Sequence, residues 1–202
     1  MTVEGSASRS GSLIRLRPSA DGDAAFMVDL LGEDRESVMR MARMPWPLNE
    51  DGARHWLRTV GASGTTFAVL RAEDRAYVGC IGLWPIAEAD GGVAELGYWI
   101  GRTYWNQGYA SAAVKLVLEV ARRQGLDCLQ ATVKPDNAVS RHILEKYDFV
   151  LAGERLQHQP LRGGEQTVLV YERDMEVRQA DHDRAPMREA LRRRRPRDRE
   201  MR

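Results

Sequence analysis

The chain is poor in cysteine, with Cys80 and Cys128 the two it carries in 202 residues. Each falls in a segment patterned as a strand, which reads as two buried free thiols and not a disulfide, consistent with a reducing cytoplasm. Long apolar runs are missing although 43% of residues are hydrophobic, which excludes a transmembrane helix and points to a globular protein with no membrane partner. The opening, Met1 to Ser12, is polar and Gly/Ser-rich and has no apolar core of a secretory signal, so a cytoplasmic location is expected. No Cys/His cluster has metal-ligand spacing, and the four histidines, His55, His142, His158 and His182, are scattered. No metal is expected. Two nucleotide motifs are also absent: no Gly-Lys-Ser/Thr follows a glycine loop, and there is no Gly-x-Gly-x-x-Gly.

Net charge is nearly absent too, at +1, but its distribution is uneven. Residues 176–202 hold ten Arg against six Asp plus Glu, or +4, which leaves about −3 for the rest. That stretch reads as a solvated, disordered tail. No aromatic residue interleaves with its arginines, so the stacking surface of a nucleic-acid site is lacking and nucleic acid is not an expected partner. Length allows one domain with a real core. Residues 1–11 read as a flexible lead-in, 12–175 as the folded domain, and 176–202 as the Arg-rich tail.

Within the domain, Leu13 to Arg17 alternates apolar and basic residues, a half-exposed first strand that Pro18 ends. Residues 20–43 carry helical patterning broken at Gly32: Phe26, Met27, Leu30 and Leu31 on one piece, Val38, Met39 and Met41 to Met44 on a second. Asn49 is placed to cap a helix carrying Trp56, Leu57 and Val60. Thr66 to Arg71 and Tyr77 to Pro85 read as adjacent strands, with Gly79 and Gly82 marking a bulge or a close backbone approach. After Phe149 come a strand from Val150 to Gly153, a polar connection through Glu165, and a last strand from Thr167 to Tyr171.

The most informative stretch runs from Val93 to Arg123. A strand (Val93–Ile100) enters a small-residue turn, Asn106 to Ala110, that opens onto a helix whose Ala113, Val114, Val117, Val120 and Ala121 form one apolar face. Helix N-termini carry unpaired N–H groups and partial positive charge, and small residues let an anion approach them, so this turn is a candidate phosphate cradle. Ordinary α/β packing uses such turns as well. Downstream, a strand (Leu129 to Val133) stops at Lys134-Pro135, and a short helix follows with Asp136 or Asn137 as cap and Ile143 and Leu144 inward. The crossover helix between the two strands implies that they pair in parallel.

Read together, Glu95-Leu-Gly-Tyr-Trp-Ile-Gly101, Tyr104-Trp-Asn-Gln-Gly-Tyr-Ala-Ser111 and Asn137-Ala-Val-Ser-Arg141 followed by Leu144-Glu-Lys146 resemble the acetyl-CoA-binding half of the GNAT superfamily of N-acetyltransferases. Within it they are similar to the branch whose members acetylate ribosomal-protein N-termini. The likeness covers roughly residues 12–175. It implies an α/β (α+β) GNAT fold: a mixed, mostly antiparallel sheet of six to seven strands, a splayed central parallel pair, and helices on both faces. It also implies acetyl-CoA as co-substrate, an amine acceptor such as a protein N-terminus or a small molecule, and a monomer or homodimer. Transfer would be direct, in a ternary complex, since neither cysteine lies on an expected site loop. Two other readings stand beside it: a CoA-binding regulatory or interaction module with little activity, and a ribosome- or RNA-associated protein acting through its basic tail.

Amine acetylation needs a base for the ammonium, a donor for the oxyanion and a proton for the leaving thiolate. By resemblance Glu95 is the base, although the same residue also suits an exposed strand position or an ion pair, and the backbone of Trp99, Ile100 and Gly101 holds the pantetheine and thioester carbonyl. Gln107, Gly108, Tyr109, Ala110 and Ser111 give N–H groups to the pyrophosphate; Ser111 otherwise caps the helix. Asn137 contacts pantetheine and Ser140 protonates the thiolate, although the same two residues also suit an N-cap and a solvated first turn. Arg141 and Lys146 are candidates for the 3′-phosphate. The tyrosine acid of other branches is replaced here by Leu144, and Gln159 stands where some ribosomal-protein-acetylating relatives have a functional Glu. Trp46, Trp84 and Tyr98 are the aromatic residues expected around the acceptor entrance, although structural packing accounts for each equally well.

Overall fold

The computed structural model describes residues 12–86 and 92–175. The expected lead-in and tail, 1–11 and 176–202, lie outside the described residues. One seven-stranded sheet organises the chain: β1 (Ile14–Pro18), β2 (Thr65–Arg71), β3 (Tyr77–Pro85), β4 (Val93–Ile100), β5 (Cys128–Val133), β6 (Val150–Gln159) and β7 (Gly164–Asp174). Spatial order is β1-β2-β3-β4-β5-β7-β6, antiparallel throughout except for β4 and β5. The helices are α1 (Ala24–Leu31), α2 (Arg35–Met39), α3 (Glu50–Trp56), α4 (Tyr109–Arg123) and α5 (Ala138–Lys146).

Periodicity explains how these elements layer. In α4 the buried residues Ala113, Val114, Val117, Leu118, Val120 and Ala121 form one stripe, and they pack with Leu16, Val69, Leu96 and Leu129 on one face of the sheet. The other face carries α1, α2 and α3 over Ala68, Cys80, Trp84 and Trp99. Strand β4 serves both cores by alternation, sending Ala94, Leu96 and Ile100 one way and Trp99 the other. The α4 crossover makes β4 and β5 parallel, but their pairing is short. It runs Val93↔Cys128, Ala94↔Leu129 and Glu95↔Gln130, and then the strands part.

Two expectations are corrected. The chain after Gly153 is not a polar connection: β6 continues to Gln159 and β7 begins at Gly164, a ladder from Val150↔Glu172 to Gln159↔Gly164. As an edge strand, β6 buries little besides Gln159 and therefore carries no apolar alternation to announce it. The second helical piece also stops early, at Met39, so Met41 to Met44 lie in an irregular segment. Pro45 and Pro47 just ahead disfavour helix in the residues before them. Asn49 does cap α3, its side chain accepting the Gly52 N–H.

Candidate functional site

Where β4 and β5 part, a cleft of about 160 Å³ opens. Its walls include Leu96 to Trp99 of β4, Ala131 to Val133 of β5 and Lys134 just beyond it. Past Glu95 and Gln130 the facing edges of these strands no longer pair with each other, so their N–H and C=O groups are free to meet an extended ligand.

Glu95 stands at the fork with a side chain only 17% exposed. Thr132 Oγ1 donates to one carboxylate oxygen at 2.9 Å, and the Arg43 guanidinium pairs with the other. Arg43 also lies over the Trp84 ring, 5.7 Å from its centroid. Two glycines make room for that ring. Gly82 and Gly97 face each other across β3 and β4, and a Cβ on either would sit 2.7 or 3.0 Å from an indole carbon. The Trp84 Nε1 donates to the Val60 carbonyl at 2.6 Å, which fixes the ring's tilt.

Asn137 and Ser140 both line the cleft. The Asn137 side chain accepts the Ser140 N–H at 3.2 Å as N-cap of α5. The Tyr98 hydroxyl donates to the Ser140 carbonyl at 3.5 Å, a long contact tying β4 to α5 across the gap. Burial pushes the Tyr98 phenol up to about 12, so it stays neutral. Trp99 lines the cleft as well, whereas Trp46 packs in the second core and forms no part of the cleft wall.

A second cluster forms at the start of α4. Gly108, its N-cap, has φ +80°, and Asn106 has φ +60°. No side chain caps this end, and the Ala112 N–H is the one that reaches the Gly108 carbonyl, at 3.0 Å. The N–H groups of Tyr109, Ala110 and Ser111 therefore have no acceptor within the helix. Lys146 Nζ donates to Ser111 Oγ at 2.9 Å, and Tyr147 OH lies 3.1 Å from the same oxygen. An ammonium beside an uncapped helix start is a basin of positive potential, suited to a phosphate. The Gln107 amide turns back to the Thr103 carbonyl, and the Tyr109 ring is buried edge-on to Tyr104. Ile100 packs into the first core, while Gly101 leads out of β4 against Leu30. Arg141 sits apart from this cluster, donating to the Pro135 carbonyl and the Tyr171 hydroxyl.

Residues that pattern alone did not single out complete the cleft. Arg43 has no local signature, since it reaches Glu95 from 52 positions upstream. Gln159 lines the cleft, buried, and its Oε1 has no hydrogen-bond partner. Cys80 lies on the floor, where burial raises its thiol to about 12 and keeps it protonated. Among the described residues no group of His, Cys, Asp and Glu is placed to hold a metal, and no helix is long and apolar enough to cross a membrane.

Comparison with known proteins gives a consistent result. The acetyltransferase (GNAT) domain family matches residues 14–150. A curated relative, described as an uncharacterized N-acetyltransferase p20 from Bacillus licheniformis, is 28% identical over 98 residues, 48% of this chain. That match spans about half the relative's length, 54%. A ribosomal-protein-S5-alanine acetyltransferase from Vibrio fischeri superposes with a TM-score of 0.69 at 15% identity, over 86% of this chain and 96% of its own. RimJ of Mycobacterium smegmatis, solved in complex with CoA-disulfide, superposes at 0.67 with 22% identity, over 80% and 81%. At such identities the two structures establish the shared fold.

Proposed function

The chain belongs to the acetyltransferase (GNAT) family, and from that premise we propose that it transfers an acetyl group from acetyl-CoA directly to a primary amine. The observation that carries this reading is the fork itself: a carboxylate, Glu95, at the point where two parallel strands separate, with an uncapped helix start at the far end of the same β4–α4 connection. A thioester is already activated, so placing the two reactants supplies much of the rate.

In this reading the N–H groups of residues 109–111, with Lys146, hold the diphosphate, and the edge of β4 that faces β5 past Glu95 holds the pantetheine; the Gly101 N–H, given to the Val78 carbonyl at 2.9 Å, and the Ile100 carbonyl, which accepts from Trp105 Nε1 at 2.7 Å, are not open to it. Asn137 supplies a further contact, and the exposed backbone around β4 polarises the thioester carbonyl. Glu95 takes a proton from the acceptor ammonium, directly or through water; the nitrogen forms its bond to the acetyl carbon as the carbon–sulfur bond breaks. The thiolate gains a proton, which Ser140 gives. No covalent enzyme intermediate is needed, and the Cys80 thiol, held protonated by burial, is a poor nucleophile.

The acceptor is a protein N-terminus or a small-molecule amine. Gln159 at the cleft wall differs from the Glu that the resemblance associates with ribosomal-protein substrates, which favours an acceptor of different chemistry. One experiment tests the reaction: the protein is incubated with acetyl-CoA and a panel of amines, N-terminal peptides and aminoglycosides, and thiol release is followed. Amine-dependent release is expected. Release at the same rate without any amine, or a stoichiometric acetyl-protein from labelled acetyl-CoA alone, would contradict direct transfer.

A further inference from the structure

The acceptor wall formed by residues 40–44 has no regular secondary structure of its own to hold it, yet it carries Arg43 to Glu95. What fixes it comes from the other end of the fold. Arg162, in the turn Pro160–Arg162 between β6 and β7, is only 7% exposed. One of its terminal nitrogens, Nη2, lies among three main-chain carbonyls: Val38 at 2.8 Å, Met44 at 2.5 Å, and Met41. The other, Nη1, donates to the Leu161 carbonyl at 2.6 Å.

The Val38 carbonyl belongs to the last turn of α2 and also accepts the Met41 N–H at 3.0 Å, whereas the Met41 and Met44 carbonyls lie in the irregular segment beyond the helix end. A buried cation at a helix C-terminus satisfies them and opposes the negative end of the peptide dipoles. Met44 is also anchored by burial in the second core, with Met41 packed against it, but Arg162 is what gathers the segment's main-chain carbonyls. Arg40 pairs with Asp136 and with Glu36, each at 3.4 Å, but these pairs are largely solvated and weak.

We propose that Arg162 is the positioning residue of the acceptor side: by gathering the carbonyls of Val38, Met41 and Met44, it holds segment 38–44 in the conformation that places Arg43 on Glu95 and shapes the acceptor wall. It touches neither reactant. The β6–β7 hairpin, which also supplies Gln159, thus builds the acceptor subsite from two directions. The kinetic consequence rests on the acetyl-transfer reading; the structural one does not.

The test uses the full-length protein with Arg162→Met, Arg162→Lys and Arg162→Ala. Amide hydrogen exchange over residues 38–44 is measured first, because it needs no acceptor. Arg162→Met should speed it by about tenfold or more while β3 and α4 keep wild-type protection. Exchange unchanged in 38–44, or raised equally through the whole sheet, overturns the proposal. In steady-state kinetics the KM for the amine should rise about tenfold while the KM for acetyl-CoA stays within about twofold, a split that general loss of stability would not produce. Equal rises in both overturn it. Millimolar guanidinium should restore much of the amine KM in Arg162→Ala, and failure to rescue counts against the proposal. If Arg162→Met does not fold, Arg162→Lys decides: the ammonium keeps the charge but not the planar fork, so partial loss of protection in 38–44 is expected and wild-type protection overturns the idea. A wild-type protein that acetylates no amine would refute the proposed function and leave the exchange result to judge Arg162.

Discussion

At the α4 end of the proposed site the open groups come from one continuous stretch, residues 106–111, and most are backbone N–H groups; Lys146 is the added side chain. At the other end they are side chains brought from distant stretches: Arg43, Trp84, Glu95 and Gln159. The first arrangement needs only a left-handed glycine and a helix that starts on time. The second needs four segments to pack correctly, and it borrows Arg162 to do so. On the proposed reading the first end takes a diphosphate, which presents the same chemistry in every CoA thioester, so a backbone cradle would serve it. An acceptor differs from one enzyme to another, and side chains are what can vary.

If the two ends are independent, substitutions should damage one and spare the other. The largest effect is expected from Gly108→Val. The φ of +80° is costly for a β-branched residue, about 1–3 kcal/mol of strain, and the branch would crowd the approach to the N–H groups. CoA affinity should fall by about 100-fold or more in calorimetry, with the Arg43–Glu95 region undisturbed. A Cβ here would meet only Leu13 Cδ2, at 3.5 Å, so simple overpacking is not the cause. Retained affinity would show that phosphate binds elsewhere.

Glu95→Gln probes the opposite end. The rate should drop by about 100-fold near neutral pH, with CoA affinity unchanged. The deficit should shrink as pH rises and the amine loses its proton unaided. Parallel pH profiles for the two proteins would remove Glu95 from the base role. Ser140→Ala lies between the two ends, and a several-fold lower kcat with unchanged acetyl-CoA affinity is expected from loss of a proton donor; an unaltered kcat clears it of that role.

The smallest effect concerns the platform beneath the acceptor wall. Asp34 caps α2, accepting the Ser37 N–H at 3.1 Å, and pairs with Arg102. The Arg102 guanidinium, with help from Ser37, holds the Asp34 carboxyl down at about 2. A carboxyl lowered on folding stabilises above its unfolded pKa, near 4, and that contribution is lost as pH falls towards 2. Asp34→Ala should cost about 1 kcal/mol at pH 7, or roughly 2–4 °C in Tm. The charge-dependent part of the gap should close between about pH 4 and 2. A gap that is constant with pH would mean that capping alone matters.

How far the chain could be read in advance follows the same division. The strand–turn–helix from Val93 to Arg123 was legible because alternation, a glycine turn and a 3.6-residue stripe coincide there. Asn49 was legible as a cap, and the α5 cap was legible to within Asp136 or Asn137, because capping is a contact across three residues; the structure selects Asn137. The edge strand β6 was not, since a strand exposed on both sides has no pattern to display. Nor was the end of α2 at Met39: Val38, Met39 and Met41 suit a helix, and the reason the helix stops involves prolines downstream and an arginine more than a hundred residues away.

Local order was thus largely written in the sequence: most strands and helices away from the β6 edge and the end of α2, that β4 and β5 run parallel, and that α4 begins at an open, glycine-shaped turn. Each depends on interactions within a few residues or on the handedness of one crossover. Folding alone decided that Glu95 meets Arg43 and Thr132, that Trp84 lies over Gly82 and Gly97, and that Arg162 closes on the end of α2. Those contacts join residues far apart along the chain, and no periodicity encodes a distance that only the packed sheet brings to a few ångströms.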